Sequence, residues 1–177
     1  MDADTRYIDK IAGITRKALG LRAPIELSSL CKVIEEKLAG KCEEVESFKL
    51  NVDALIKTAD ECNSNALFTI KYRNDMPKTR VLFSVAHELG HLFMHLLEED
   101  GTLKQSAIME RNLMTSESEL EANEYEAAFL MPEDDFIIQC DNYKNEEDKV
   151  NVTSVAKFFN VSVQAATIRG NVLGLWK

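Results

Sequence analysis

Ala86-His87-Glu88-Leu89-Gly90-His91, running on through Leu92, Phe93 and Met94 to His95, contains all three histidines of the chain. His87 and His91 are four residues apart, so on an α-helix both imidazoles leave one face and can share a metal ion. Glu88, beside the first imidazole, can reach a water held on that ion. Two neutral imidazoles suit zinc, which keeps a coordination position open and lowers the pKa of a bound water to about 7. Glu88 then takes the proton as the water attacks a carbonyl. The pattern H-E-x-x-H predicts a zinc peptidase.

Chance alone produces this pattern in roughly one chain of this size in a few hundred, so the surroundings matter. Residues 80–97 read as one long helix, with Val81, Leu82, Val85, Leu89, Leu92, Phe93, Leu96 and Leu97 as its broad apolar face. Gly90 sits mid-helix, where glycine costs about 1 kcal/mol against alanine. A glycine there predicts that another element comes close to the backbone. Packing alone is a poor reason for an apolar helix to keep two histidines and a glutamate pointing one way.

The 177 residues are enough for one domain with a substantial core, or one domain with a small appendage. With 45% hydrophobic and 29% charged residues the composition is that of an ordinary globular protein. A net charge of −9 argues against general attraction to nucleic acid or an anionic membrane. Cys31, Cys42, Cys62 and Cys140 form no C-x-x-C pair and read as thiols of a reducing compartment. The charged start at Asp2, Asp4 and Arg6 does not read as a signal peptide, and the apolar runs are too short for a membrane span. A cytoplasmic location is the expectation.

Helical spacing of Ile8, Ile11, Ile14 and Ala18 predicts a first helix over 5–19, stopped at Gly20. Pro24 opens a second, carrying Leu27, Leu30, Ile34 and Leu38 up to Gly40. Residues 41–48 suggest an edge strand, and 51–59 are open between a helical turn and an irregular excursion. Asn65 ends a polar cluster, and 66–72 is the best strand in the sequence. The acidic trio Glu98-Glu99-Asp100 reads as a solvated helix end, and 101–115 as a loop.

A catalytic zinc site needs three protein ligands. His95 lies eight residues beyond His87, about 12 Å along the helix, too far to share the ion, and is assigned to a second shell. The third ligand is sought on a helix over 116–130, which offers Glu117, Glu119, Glu121, Glu124 and Glu126 before Met131-Pro132. Glu119 shares a face with Asn123, flanked by Ala122 and Ala127, small enough for two helices to press together. Helical geometry thus favours Glu119 over Glu121, with Asn123 placed to orient a ligating histidine.

Three segments resemble the ImmA/IrrE metallopeptidases of bacteria and their mobile elements. Phe83-Ser84-Val85-Ala86-His87-Glu88-Leu89-Gly90-His91, followed by His95, is similar to the family's F-T-x-A-H-E-x-G-H helix. Glu119-Leu120-Glu121-Ala122-Asn123-Glu124-Tyr125, leading to Leu130-Met131-Pro132, is similar to its E-x-x-A-N-x-F-A helix. Val155-Ala156-Lys157-Phe158-Phe159-Asn160-Val161-Ser162 is similar to the A-x-x-F-x-V-S segment that closes the catalytic region, and Pro24-Ile25-Glu26-Leu27 matches the usual start of the second helix. The resemblance implies metal ligands at His87, His91 and Glu119 and a catalytic glutamate at Glu88. It also implies a protein substrate, a helix-turn-helix repressor of stress or mobile-element genes. Glu126 departs from the pattern, standing where the family usually has alanine. An extra carboxylate there is expected to crowd the site or to pair with a nearby cation.

Residues 153–172 have the proportions of a helix-turn-helix, with Ser162 as the second N-cap. The exposed positions expected on its second helix, Gln164, Thr167 and Arg169, include one strong base, too few for phosphate contacts. Direct nucleic-acid binding is therefore not expected. The fold expected is α+β, a mainly helical metallopeptidase domain over 1–150 with a small sheet beside the His-bearing helix, and a helical cap over 151–177. Tyr72, Tyr125, Tyr143 or a backbone amide are the candidates for stabilising an oxyanion. The remaining alternative is a partner-binding regulator, or toxin–antitoxin component, that sequesters a repressor or antitoxin without hydrolysis.

Overall fold

The computed structural model describes residues 3–46, 48, 52–58, 66–97, 102, 103 and 115–176. Helices α1 (Ala3–Leu19) and α2 (Leu27–Leu38) precede strands β1 (Gly40–Val45), β2 (Ala54–Thr58) and β3 (Phe68–Arg73). Helix α3 (Lys78–His91) is continued by a wide π turn over Leu92–Leu96. Helices α4 (Ser116–Leu130), α5 (Glu133–Asn142), α6 (Val152–Phe158) and α7 (Val163–Val172) complete the order. The protein is mainly helical with a small sheet, the α+β class that the sequence predicts.

The best strand of the sequence is the central one. β1 pairs with β3 in parallel and β2 pairs with it antiparallel, giving the order β1-β3-β2. Ile56 lies opposite Ile70, and both are buried. That pairing explains β2, which the local pattern left open: burial against β3 selects the strand, not intrinsic preference. Helix α2 begins three residues later than Pro24 suggested, because Glu26 is still extended (φ −98°, ψ 143°) and caps it.

Helices α2 and α3 pack on the sheet, α4 lies against α3, and α1 closes over α4. The single helix expected over 80–97 ends its regular winding at His91. Leu97 N–H then bonds Leu92 O at 3.2 Å, five residues back, which defines the wider turn. In this geometry Phe93 stacks on Tyr125, with ring centroids 6.2 Å apart. His95 reaches the Ser118 carbonyl of α4 at 3.2 Å.

The C-terminal helices have the helix-turn-helix form, and each is capped by a side chain, the second by Ser162 as expected. Asn151 accepts from Ser154 N–H and Ser162 accepts from Ala165 N–H. Arg169, however, is not the exposed base expected on α7. It is 1% exposed. Its Nη1 lies 2.7 Å from Asp9 of α1, and its Nε donates to the Met131 carbonyl at 3.0 Å. Helix periodicity could place Arg169 on a face but could not say that α1 and α4 cover that face. Helix α5, which no strong pattern announced, buries Phe136 and Cys140, and Phe136 stacks against Phe159.

Cys31, Cys42 and Cys140 are free thiols, and Cys62 lies outside the described residues. Asn65, the acidic trio at 98–100 and most of 101–115 also lie outside them. Among the described residues no helix is long and apolar enough to cross a membrane. Removing one member of a buried ion pair strands the other, at about 3–5 kcal/mol. Arg169→Ala and Asp9→Ala should both cost stability on that scale in urea denaturation, since each leaves its partner's charge unpaired: Asp9→Ala strands the guanidinium, 1% exposed, and Arg169→Ala the carboxylate, 18% exposed. A loss below about 1 kcal/mol for Arg169→Ala, the worth of a surface pair, would contradict the pairing.

Candidate metal centre

Helices α3 and α4 meet at Gly90 and Ala122. A Cβ placed on Gly90 would lie 3.1 Å from Ala122 Cα, 3.2 Å from Ala122 O and 3.2 Å from Tyr125 Cδ1. The close approach read from Gly90 is therefore present, and Ala122 supplies the other small surface. One turn before Ala122, Glu119 arrives over the two imidazoles. His87 Nε2 and His91 Nε2 are 2.9 Å apart. Glu119 Oε2 is 3.5 Å from the former and Glu119 Oε1 is 3.6 Å from the latter.

Donors bound at 2.0–2.1 Å to one tetrahedral ion stand about 3.3 Å from each other, so these three are spaced to share one. Among the described residues His87, His91 and Glu119 form the group able to do so. Glu119 Oε1 is buried and has no hydrogen-bond partner among the described residues. A cation would satisfy it. The residues present fit a divalent metal.

Glu88 is 8% exposed and lines a cleft of about 360 Å³ together with Ala54, Arg80, Ser84, His87, Glu119 and Asn123. Arg80 pairs with Asp53 at 2.6 Å beside the start of β2, the strand that forms this side of the cleft. Glu121 points elsewhere: its carboxylate lies 3.6 Å from His95 Nε2, beyond the triangle of donors. His95 likewise stays outside that triangle. Asn123 is exposed on the cleft wall, and no hydrogen bond joins it to either ligand imidazole among the described residues.

None of the three candidate tyrosines lines the cleft. Tyr125 is wholly buried, stacked between Phe93 and Phe129, and burial raises its pKa far above the ordinary value. Tyr72 sits on β3 beside Cys31, with its pKa raised to about 12, chiefly by burial. Tyr143 closes α5. Helical spacing could not exclude Tyr125, which is two positions from Asn123 but on the opposite, core-facing side of α4.

Glu126, the departure from the family pattern, lies against a ligand imidazole. It is 6% exposed, and its Oε2 lies 3.2 Å from His87 Nδ1. The signal was there, because Glu126 is seven residues after Glu119 and so returns to the same face of α4 two turns later. Burial pushes Glu126 up to about 7, the Glu88 and Glu119 charges push the same way, and the contact with His87 opposes them. For His87 burial acts downward, but the carboxylates of Glu126, Glu88 and Glu119 outweigh it and the pKa is raised.

Residues 58–171 match the M78 peptidase family, described as the IrrE N-terminal-like domain. The chain belongs to this family. The match takes in α3, α4 and the C-terminal helices, so the ligand group and Glu88 fall inside it. No curated protein matches the chain. Among solved structures, a Mycobacterium tuberculosis transcriptional regulator is similar over 93% of this chain and 46% of its own, with a TM-score of 0.64 and 12% identity. That likeness is one of fold, and this chain spans less than half the length of that protein.

A ligand that binds only the folded state at 100 times its dissociation constant stabilises it by about 2.7 kcal/mol. For a chain of this length that corresponds to about 5–10 °C in Tm. Zinc added to chelator-treated protein should raise Tm on this scale, and His91→Ala should abolish the rise. Equal shifts in both proteins would place the metal elsewhere.

Proposed function

We propose that this protein is a zinc-dependent endopeptidase, with His87, His91 and Glu119 as ligands and Glu88 as general base. The observation that carries the reading is the convergence of the three donors, two of which line the same cleft as the buried Glu88. When bound, the ion polarises the scissile carbonyl and acidifies a water to near neutrality. Glu88 removes the proton of the attacking water and returns it to the leaving amine. The burial of Glu88 keeps bulk water from competing for that proton. Strand β2 forms one edge of the sheet beside the cleft, where an extended polypeptide can add main-chain hydrogen bonds.

The substrate proposed is a helix-turn-helix transcriptional repressor, whose cleavage relieves repression of stress or mobile-element genes. Its support is the family resemblance and a regulatory protein of the same fold. Zinc is proposed over other divalent ions because two imidazoles and a carboxylate form a donor set that it favours. Residues 1–150 are assigned to the peptidase domain and 151–177 to its cap. Arg169 to Asp9 and Asn160 Nδ2 to Glu26 Oε1 at 3.0 Å support counting the cap as part of that domain. With Arg169 buried and a net charge of −9, neither nucleic acid nor a membrane surface is proposed as a partner. A cytoplasmic location suits the free thiols and a transcription-factor substrate.

Glu88→Gln keeps the ligands and removes the base. It should leave zinc binding within about twofold of the parent and lower cleavage of the cognate repressor by about 10²–10⁴-fold. Cleavage at the parental rate would remove Glu88 from the mechanism. Relief of repression by Glu88→Gln without any cleavage would favour sequestration of the repressor instead.

A further inference from the structure

The two nitrogens of His87 face different partners. Nε2 looks into the donor triangle, 2.9 Å from His91 Nε2 and 3.5 Å from Glu119 Oε2. Nδ1, on the other side of the ring, lies 3.2 Å from Glu126 Oε2. The side chains of His87 and Glu126 are 10% and 7% exposed, so solvent has little access to the contact. Neutral imidazole donates from one nitrogen and offers a lone pair on the other, and the partner of the first decides which is which. An ionised carboxylate at Nδ1 can only accept, which places the proton there and leaves the Nε2 lone pair facing the triangle.

We infer that Glu126 is a positioning residue, which takes the Nδ1–H of His87 and so aims Nε2 at the ion held with His91 and Glu119. This rests on the metal-site reading above. Burying a carboxylate between two packed helices is costly without a partner, and the nearby Glu88 and Glu119 charges add to that cost. The His87 imidazole is the partner that offsets it. Glu126 is not itself a ligand in this arrangement, because the ring of His87 stands between its carboxylate and the triangle, and it is absent from the group that can share an ion. Asn123, one turn after Glu119, is exposed on the cleft wall and does not take this part.

The test measures zinc affinity by competition with a chromophoric chelator, for the parent, Glu126→Ala and Glu126→Gln. Loss of an outer-shell partner typically weakens metal binding about 10–100-fold. Glu126→Ala should show that loss, and Glu126→Gln, which keeps an oxygen acceptor, should recover most of it. Nitrogen NMR of the imidazoles in the metal-free parent, with His87 neutral, provides a readout that needs no substitution, and it should place the His87 proton on Nδ1. A proton on Nε2 overturns the assignment, as does zinc binding by Glu126→Ala within twofold of the parent. Equal weakening by Ala and Gln overturns it too. Failure of the parent to bind zinc one-to-one overturns the metal reading itself, whereas parental binding with an unaffected Glu126→Ala overturns only the role of Glu126.

Discussion

The contact between Gly90 and Ala122 sets the distance between the two helices that carry the site. The α4 backbone lies 3.1–3.2 Å from the Cβ position of residue 90, so a side chain larger than hydrogen there would press it outward. The geometry of α3 then follows from its own period: His87 is one turn before Gly90 and His91 directly after it. On α4 Glu119 precedes Ala122 by one turn, and Glu126 follows by four residues. The small pair acts as a spacer around which ligands and supporting carboxylate are distributed. Van der Waals contact at one point, more than any hydrogen bond, brings the polar groups to within about 3 to 4 Å of each other.

Such convergence carries an electrostatic burden. Glu88 and Glu126 are nearly buried and Glu119 is partly so, and all three act on His87. Like charges in a poorly solvated space disfavour one another, as the raised value of Glu126 reflects. A divalent cation in the triangle would offset this crowding. The same concentration of acid that burdens the apo fold suits a site built to hold metal.

The C-terminal helices illustrate how a motif and its use can part. Residues 152–172 fold as two capped helices joined by a short turn, in the proportions associated with DNA recognition. Their strongest base is spent inside the protein, pairing with Asp9 and the Met131 carbonyl. Asn160 in the turn reaches back to Glu26 and to the Ile25 carbonyl. These ties fasten the end of the chain to its beginning and to the end of α4, so the segment supports the peptidase helices.

The sequence by itself determined what lies close along the chain. The four-residue spacing of His87 and His91, the glutamate between them, the glycine at a mid-helix position and the cap at Ser162 are local, and the local sequence pattern reads them directly. Tertiary structure decided what depends on neighbours distant in sequence. The strand at 54–58 exists because β3 offers it an edge. Arg169 is buried because α1 brings Asp9 to it, and Tyr125 is lost to the core because Phe93 comes round to stack on it. Glu126 meets His87 only when α3 and α4 are brought together, so a carboxylate that looked like an intrusion became a partner. Helical period can assign a residue to a face, but only the packed fold decides what that face meets.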